Sequence, residues 1–374
     1  MRDRAALAER IWLGADGVAR AARALLLPAE RLFGGVVGAR DVLYDAGWLR
    51  SHDVALPAIS VGNLTVGGTG KTPIAAWIAS ELLIRGMQPA IVLRGYGDDE
   101  PLVHKILNPS IPIVLNADRV AGVAEAARRG ADIAVLDDAF QHRRARRRAD
   151  IVLISADRWT GEERLLPAGP WREPLSAVRR ASLAVVTRKA AGAAAVDAVY
   201  HRLSEVAPAV PRVAIHLAPD VLVHAAPLPS TDASSATSAT SAERKASGAG
   251  VGAATRPLES LAGRSVHAIL SIADPTAFVG QLEALGARVR CSVFPDHHVF
   301  TAREIAELLQ RVDTSETVVC TLKDAVKLAP LWPRLGPGLW YVSQRVVVER
   351  GIGGLEHILD ELAHTPSTRT HQPG

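Results

Sequence analysis

The chain has 374 residues, of which 48% are apolar and 22% charged. It is therefore long enough for two domains of ordinary size, and it is too apolar to be disordered as a whole. Its net charge of +4 is compatible with an anionic partner without identifying one, and its two cysteines, Cys291 and Cys320, lie in apolar runs that predict buried thiols rather than a disulfide framework.

The N-terminal residues 1–50 mix Leu, Ala, Val and Trp with regularly spaced arginines. This pattern predicts amphipathic helices that are broken near Pro28 and the glycine pair 34–35. Two interpretations remain open: a helical pair packed on the following domain, or a surface that lies in a membrane interface with arginines at the headgroups. Because charges begin at Arg2 and no apolar run reaches the ~18–20 residues of a membrane span, we expect the protein in the cytoplasm.

Strand-like apolar runs alternate with helical stretches from residue 55 onward. Near-continuous Val, Ile and Leu runs with helices between them are typical of a parallel sheet covered on both faces. We therefore predict an α/β doubly wound domain over residues 51–228. The predicted strands are the runs 56–63, 89–94, 111–116, 131–138, 150–155 and 183–188.

The composition changes abruptly at residues 229–256, where Ser, Ala, Thr and Gly dominate. This segment is predicted to be a flexible excursion, either between domains or inserted in a loop. Residues 257–374 follow with strand–helix–strand patterning over 264–295 and further strands in 317–328 and 339–348. They predict a second, smaller α/β domain.

The stretch "VGNLTVGGTGKTP" at 61–73 indicates a phosphate-binding loop. The consensus G-x-x-x-x-G-K-[ST] ends here in Gly70-Lys71-Thr72, while Thr65 stands at the first glycine position. A strand before the loop and an apolar helix after it are the context that such a loop needs, since its N–H groups and the helix N-terminus face phosphate oxygens. We expect Lys71 to reach the β- and γ-phosphates and the Thr72 hydroxyl to ligate Mg²⁺. The predicted nucleotide-binding residues are Gly67, Gly68, Thr69, Gly70, Lys71 and Thr72.

A second magnesium ligand is predicted in "IAVLDDAFQH", where Asp137 and Asp138 follow the apolar run 133–136. Parallel sheets bind their ligands at the carboxyl ends of the strands. One carboxylate is expected to hold the metal, directly or through water, and the other to organise the attacking group. The alternative is a pair of solvated turn residues.

Several stretches in fixed order resemble the tetraacyldisaccharide 4′-kinase family: "VGNLTVGGTGKTP", "LRGYG", "DEP", "LDDAFQHR", "LLPAGPWREPLSAVRRA", "FPDHHVF" and "TLKDAVK". The resemblance runs from about residue 44 to 362, and that family shares the non-glycine first position of the loop. It implies a phosphate-loop fold and an enzyme that transfers the γ-phosphate of ATP to a lipid A disaccharide precursor at the cytoplasmic face of the inner membrane.

The resemblance also assigns residues. Asp99 matches the family's proton acceptor, His297 its hydrogen-bonded partner, and Asp296 or His298 are candidates to orient that pair; with Lys71 and Asp138, Asp99 and His297 form the predicted catalytic set. Further polar positions are expected to contact substrate or the transferring phosphoryl group. These are Arg94, Glu100, Arg119, Gln141, His142, Arg172 and Glu173.

The sequence departs from the family where "RGYG" and "DEP" are fused over 94–101, which leaves Asp98 as an alternative to Asp99, and Ala139 replaces a glycine. The basic run 142–148 is predicted to be a solvated face or a contact for anionic headgroups; nucleic acid is not an expected partner, because aromatic residues make up only 4% of the chain. Two other functions stay open: a phosphate-loop GTPase or ATPase acting as a switch or metallochaperone, for which "TLKD" (321–324) faintly resembles a guanine-binding motif, and a non-catalytic membrane-peripheral nucleotide binder.

Overall fold

The computed structural model describes residues 2–95, 99–227 and 253–364, with side chains from residue 7 onward. Asp98 and most of the low-complexity segment predicted at 229–256 lie outside the described residues. Helices in chain order are α1 (Arg2–Leu13), α2 (Gly17–Asp45), α3 (Lys71–Ile84), α4 (Asp99–Leu107), α5 (Arg119–Arg128), α6 (Ala193–Val206), α7 (Pro275–Ala284), α8 (Ala302–Leu309), α9 (Leu322–Leu328) and α10 (Ile352–His364). The strands are β1 (Ala58–Asn63), β2 (Pro89–Leu93), β3 (Ile113–Leu115), β4 (Ile133–Asp137), β5 (Ala149–Ser155), β6 (Leu183–Arg188), β7 (Arg212–His224), β8 (Thr255–Pro257), β9 (Ser265–Leu270), β10 (Arg288–Val293), β11 (Thr317–Thr321) and β12 (Leu339–Arg350).

The chain forms two compact units, each built from separate segments. Unit 1 comprises 1–96, 110–216 and 348–374, and unit 2 comprises 97–109 and 217–347. These segments do not coincide with the predicted limits at 228 and 257, because the compositional change marks an insertion: β7 and β8, which flank it, pair antiparallel.

Unit 1 holds a parallel sheet in the order β7–β6–β5–β1–β4–β2–β3. Every residue of β1, β2 and β4 is buried, as expected for central strands covered on both faces. The carboxyl ends of β1 and β4 are neighbours, with Val61 in register with Asp137. The predicted α/β parallel-sheet class is confirmed, and this strand order places the ends of "VGN" and "VLD" side by side.

Unit 2 holds the order β10–β9–β11–β12–β7, with β8 on β7. The pairs β10–β9, β9–β11 and β11–β12 are parallel. A separate core lies on each face, one around Phe300 and Leu328 and the other around Phe278 and Trp340. Unit 2 is therefore a second α/β unit with its own core, in agreement with the predicted strands and helices.

The helix α2 runs unbroken from Gly17 to Asp45 with Pro28 inside it, so the predicted breaks at Pro28 and the glycine pair are wrong. Tertiary contacts C-terminal to the proline hold the helix: Glu30 accepts a 2.8 Å hydrogen bond from the Leu165 N–H, and Arg40 pairs with Glu173. Such contacts offset the backbone hydrogen bond that proline removes. Among the described residues, no helix combines the length and apolar content needed to cross a membrane.

The two cysteines differ in environment. Cys320, on β11, is fully buried as predicted, whereas Cys291 is exposed and the prediction for it is wrong. The reason is that Cys291 lies on β10, which ends the strand order of unit 2 and has exposed residues along its length. An apolar run can therefore form an outer strand as well as a buried one.

Candidate active site

The phosphate loop connects β1 to α3 at the carboxyl end of the unit 1 sheet, where α/β proteins bind ligands. Gly67 and Gly70 have φ of 112° and 84°, a region that glycine enters without a steric penalty. Gly70 is the N-cap of α3 and lacks a side chain to bond the first turn. The N–H groups at this helix start therefore face the loop, as an anion-binding site requires.

Asn63, the last residue of β1, ties the loop together and was not predicted. Its side chain is fully buried; Nδ2 donates to Thr69 Oγ1 at 2.8 Å, and Oδ1 accepts from Lys71 Nζ at 3.3 Å. Its carbonyl accepts from Gln141 Nε2 at 2.7 Å and from Arg172 Nη2 at 3.2 Å. The available signal was a polar residue ending an otherwise apolar strand directly before the loop.

Asp138 lies beside Lys71. It follows β4 with a φ of 50°, and its backbone N–H donates to the Val61 carbonyl at 2.9 Å. Asp138 Oδ1 lies 3.7 Å from Lys71 Nζ and 3.0 Å from Arg172 Nη2. Burial raises the pKa of Asp138, but the positive charges of Lys71, Arg172 and Arg119 outweigh it and hold that pKa below its usual range. Asp138 is therefore ionised next to the lysine that is predicted to bind phosphate.

The residues predicted to hold Mg²⁺ supply only oxygen atoms. Asp137 ends β4 and is 3% exposed, the Asp138 side chain is 42% exposed, and Thr72 is half-buried in the first turn of α3. Within the described residues there is no cluster of three or more His, Cys, Asp or Glu that would hold a metal. This donor set fits Mg²⁺, which binds one or two carboxylates and takes its other ligands from phosphates and water.

Arg119 and Glu173, which were predicted to contact substrate, are buried. Arg119 is 2% exposed, and its guanidinium donates to the carbonyls of Asn116 at 2.8 Å and Asp137 at 3.2 Å, so it holds the end of β4. Glu173 is 0% exposed, and its carboxylate pairs with Arg40 from α2 and with Arg180. In this arrangement the Glu173 carboxylate contacts two guanidinium groups and is not exposed to a substrate.

Other predicted substrate residues are distributed over both units. Arg94 is exposed just after β2, and Glu100 is half-buried, with its N–H donating to Asp99 Oδ1 at 3.1 Å. His142 Nε2 is buried without a hydrogen-bond partner among the described residues. Burial and the charges of Arg119 and Arg147 lower the pKa of His142, which favours the neutral imidazole.

The basic run is neutralised locally. Arg143, Arg144, Arg146 and Arg147 each pair with an acidic side chain, namely Asp41 and Asp45, Asp118, Asp53 and Asp150. These ion pairs hold the basic run 142–148 against α2 and the rest of unit 1, so at least four of its arginines have a structural role.

The second group of polar side chains lies in unit 2, around the first residue of α4. Asp99 is 4% exposed, and its Oδ1 and Oδ2 lie 3.3 and 3.2 Å from His297 Nδ1. His297 follows β10 with a φ of 57°. The predicted pair is therefore in contact, whereas His298 bonds Glu304 at 3.2 Å and stacks on Phe294, so it does not orient the pair.

The two members of the pair shift each other's pKa in opposite directions. Burial raises the pKa of Asp99, but the hydrogen bond with His297 and the charges of Lys323 and Lys327 lower it to about 2. The hydrogen bond with Asp99 raises the pKa of His297, against burial and the charge of Lys323. Asp99 is an anion at neutral pH, and His297 gives up its proton only above its ordinary range.

Lys323 completes this group and was not predicted to contribute to it. Its Nζ lies 3.0 Å from Asp296 Oδ1, 3.1 Å from His297 Nε2 and 3.8 Å from Asp99 Oδ2. In the sequence it lies in "TLKDAVK", one of the stretches that resemble the family, but no residue of that stretch was assigned a role.

Comparison with known proteins gives a consistent result. The family model described as tetraacyldisaccharide-1-P 4′-kinase matches residues 22–363. The tetraacyldisaccharide 4′-kinase of Halorhodospira halophila is 34% identical over 351 residues, covering 88% of this chain and 90% of that protein. The protein of the same name from Anaeromyxobacter dehalogenans strain 2CP-C is 37% identical over 369 residues, covering 90% of each chain.

Among solved structures, this fold is similar to the crystal structure of the "apo" form of LpxK from Aquifex aeolicus in complex with ATP. The TM-score is 0.66 at 26% identity, and the match covers 91% of this chain and 99% of that chain. The family match spans most of the sequence, including the phosphate loop, the paired aspartates, Asp99 and His297. The chain belongs to the tetraacyldisaccharide-1-phosphate 4′-kinase family.

Proposed function

We propose that this protein is a lipid A 4′-kinase, which transfers the γ-phosphoryl group of ATP to the 4′-hydroxyl of a tetraacylated glucosamine disaccharide 1-phosphate and so forms lipid IVA. The observation that carries this proposal is the contact between Asp99 and His297. A nucleotide switch activates water or has no acceptor, whereas transfer to a sugar hydroxyl requires a group that receives the hydroxyl proton.

Asp99 is suited to that role by charge and position. Its carboxylate is ionised, because its pKa lies at about 2, and it is nearly buried at the start of α4. A base with such a low pKa is weak, but phosphoryl transfer has a loose transition state in which positioning of the attacking oxygen matters more than base strength. Asp99 would accept the hydroxyl hydrogen bond and then the proton, while His297 holds the carboxylate in place.

The phosphate loop would hold ATP. Lys71 would bind the β- and γ-phosphates, and Asn63 and Asp138 position its ammonium group. Thr72, Asp137 and Asp138 would hold Mg²⁺, which would supply positive charge to neutralise the negative charge that develops on the phosphates. Arg172, now bonded to Asp138, would be available to the transferring group.

The test is transfer of label from γ-labelled ATP to a tetraacylated disaccharide 1-phosphate in detergent micelles with Mg²⁺. We expect labelled lipid with the wild type, loss of most of it with Asp99→Asn, and retention with the matched control Asp53→Asn, whose side chain is 80% exposed. Consumption of ATP or GTP without labelled lipid would instead support the switch or ATPase function.

We further propose that α2 contacts the anionic surface at the cytoplasmic face of the inner membrane. Val18, Leu25, Leu32 and Val36 are 71%, 82%, 72% and 61% exposed. Their spacing of seven, seven and four residues sets them on one face of the helix. An exposed apolar stripe flanked by arginines is typical of a helix lying in a membrane interface, and a tetraacylated acceptor resides in such an interface.

Sedimentation with vesicles of phosphatidylethanolamine and phosphatidylglycerol tests this contact. Leu25→Glu places a charge in the apolar stripe and is expected to lower vesicle binding. Ala24→Glu adds the same charge outside the stripe and is expected to lower vesicle binding less. Equal binding of both variants and the wild type would argue against contact through α2.

A further inference from the structure

We propose that Lys323 is a positioning residue of the phosphoryl transfer: by donating a hydrogen bond to Nε2 of His297, it opposes protonation of that nitrogen and favours the tautomer with Nδ1–H directed at Asp99. This inference rests on the proposed kinase function, which it deepens by assigning a role to a residue outside the Asp99–His297 pair. Lys323 acts through His297, and its Nζ lies 3.1 Å from that ring nitrogen.

The tautomer follows from the donor and acceptor types. An ammonium group carries three donors and has no lone pair to accept a hydrogen bond. The Lys323 ammonium group lies 3.0 Å from Asp296 Oδ1 and 3.8 Å from Asp99 Oδ2, so two carboxylates accept from it or face it. His297 Nε2 must therefore be the acceptor, which puts the ring proton on Nδ1, 3.2 Å from the Asp99 carboxylate.

A buried polar network fixes Lys323 in place. Thr321 caps α9 through the Asp324 N–H, and the Asp324 carboxylate, which is 0% exposed, accepts from the N–H and hydroxyl of Ser271 at 3.0 and 2.5 Å. Lys327, one turn further along, lies 3.3 Å from Asp324. The first turn of α9 is therefore tied to the end of β9, and Lys323 projects from an anchored turn, as a positioning residue requires.

The charges around His297 come from three elements. Asp99 on α4 and Asp296 in the loop before His297 favour the imidazolium, whereas Lys323 on α9 disfavours it, and the charge of Lys327 acts on Asp99. Protonation of His297 would bring an Nε2–H against the Lys323 ammonium group. Removing the lysine charge therefore stabilises imidazolium and raises the pKa of His297, so that the neutral, active form appears only at higher pH.

The pH dependence of kcat/KM for lipid phosphorylation tests this role. A single charge at this distance shifts a neighbouring pKa by about one unit or more, so Lys323→Met is expected to move the acid limb upward by about one pH unit. On that limb the shift lowers kcat/KM about tenfold, and the loss fades toward alkaline pH. Lys323→Arg keeps the positive charge, so its acid limb is expected to stay near the wild-type position. The matched control is Lys105→Met, which removes a lysine from the exposed face of α4 and is also expected to leave the acid limb in place. A uniform loss at every pH, or an unshifted limb, would overturn the proposal.

A second measurement needs neither ATP nor lipid. In protein labelled with ¹⁵N-histidine, with the His297 signals assigned by comparison with His297→Asn, we expect the wild-type ring to titrate as a neutral Nδ1–H tautomer at high pH. Lys323→Met is expected to raise the midpoint of that titration. A neutral Nε2–H tautomer in the wild type, or an unchanged midpoint in Lys323→Met, would refute positioning by Lys323 even if the protein is a kinase. If the His297 midpoint rises in Lys323→Met but the wild type produces no labelled lipid, the proposed kinase function is refuted while the effect of Lys323 on His297 still holds.

Discussion

Replacement of Glu173 by Gln is the most informative perturbation in unit 1, because it distinguishes a structural role of this carboxylate from a role in substrate binding. The motif resemblance predicts that Glu173 contacts substrate. In the structure its carboxylate is 0% exposed and pairs with Arg40 and Arg180. Arg180 also lies over the Phe140 ring at 4.2 Å, so the carboxylate links α2 to the segment that follows the paired aspartates.

The size of the effect follows from the exposure of the partners. Removing one member of a buried ion pair typically lowers the free energy of unfolding by about 3–5 kcal/mol, since the remaining charge is left uncompensated. The Arg40 and Arg180 side chains are 30% and 21% exposed, and Asp41 remains beside both of them. We therefore expect Glu173→Gln to cost about 2–3 kcal/mol, somewhat below that range.

Urea unfolding followed by tryptophan fluorescence measures this cost. Trp332 and Trp340 belong to unit 2 and the other tryptophans to unit 1, so fluorescence mainly reports the unit that contains Glu173. For an m-value of about 2–3 kcal/mol/M, a loss of this size lowers the midpoint by about 1 M. The control is Glu205→Gln, since Glu205 is 50% exposed and pairs with Arg202 at the surface; it is expected to change the midpoint little.

The outcome that contradicts the scaffold role is specific. If Glu173→Gln unfolds at the wild-type midpoint and raises KM for the lipid acceptor, Glu173 contacts the substrate as the motif resemblance implies. A lowered midpoint with KM unchanged at a temperature where the variant is folded supports the ion-paired scaffold.

Four further predictions concern β1, the phosphate loop and the Asp99–His297 pair. Lys71→Met should weaken ATP binding by about 1.5–3 kcal/mol, the value of a hydrogen bond to a charged group, and an unchanged Kd by calorimetry would exclude Lys71 from phosphate binding. Gly62→Ala should lower the urea midpoint, because a Cβ there would lie 2.6 Å from Phe140 Cβ and overpacking costs about 1–3 kcal/mol; a wild-type midpoint would show that the contact yields. Since the pKa of His297 is raised, kcat/KM should rise with pH above about 6.5, and an acid limb below that value would argue against neutral His297 as the active form. Asp99, with a pKa of about 2, should add stability that is present above its unfolded pKa of about 3.9 and is lost as the pH falls toward 2, and acid unfolding that is unaffected by Asp99→Asn would contradict this.

Much of the fold was predictable because apolar runs determine buried strands. The runs at 56–63, 131–138 and 183–188 became β1, β4 and β6, with boundaries within a few residues. Prediction from the sequence pattern failed where tertiary contacts override the local conformational preference. Pro28 lies inside a continuous helix, and Cys291 faces solvent because its strand ends the sheet order.

The candidate site was predictable where a motif names the residue and not where only packing does. Lys71 and Asp138 lie together, as a phosphate loop with a metal-binding carboxylate requires. Asn63 and Lys323 were missed, because their importance comes from the partners that folding brings to them. A polar residue at the end of a buried strand was a usable signal for Asn63, whereas Lys323 lies in the first turn of a short helix after an ordinary N-cap, Thr321.

The backbone at Asp138 and His297 carries information that the motifs omit. Both have positive φ, 50° and 57°, although neither is glycine. Such conformations cost about 1–3 kcal/mol in a non-glycine residue and persist where the surroundings demand them. At Asp138 the demand is visible: the N–H is bonded to the Val61 carbonyl while the carboxylate turns toward Lys71 and Arg172. At His297 the same turn lets the ring reach the buried Asp99 on one side and Lys323 on the other. Glycine would adopt either conformation without strain but would supply no side chain, so the presence of Asp and His at these positions argues that the site requires the side chains and not only the turns.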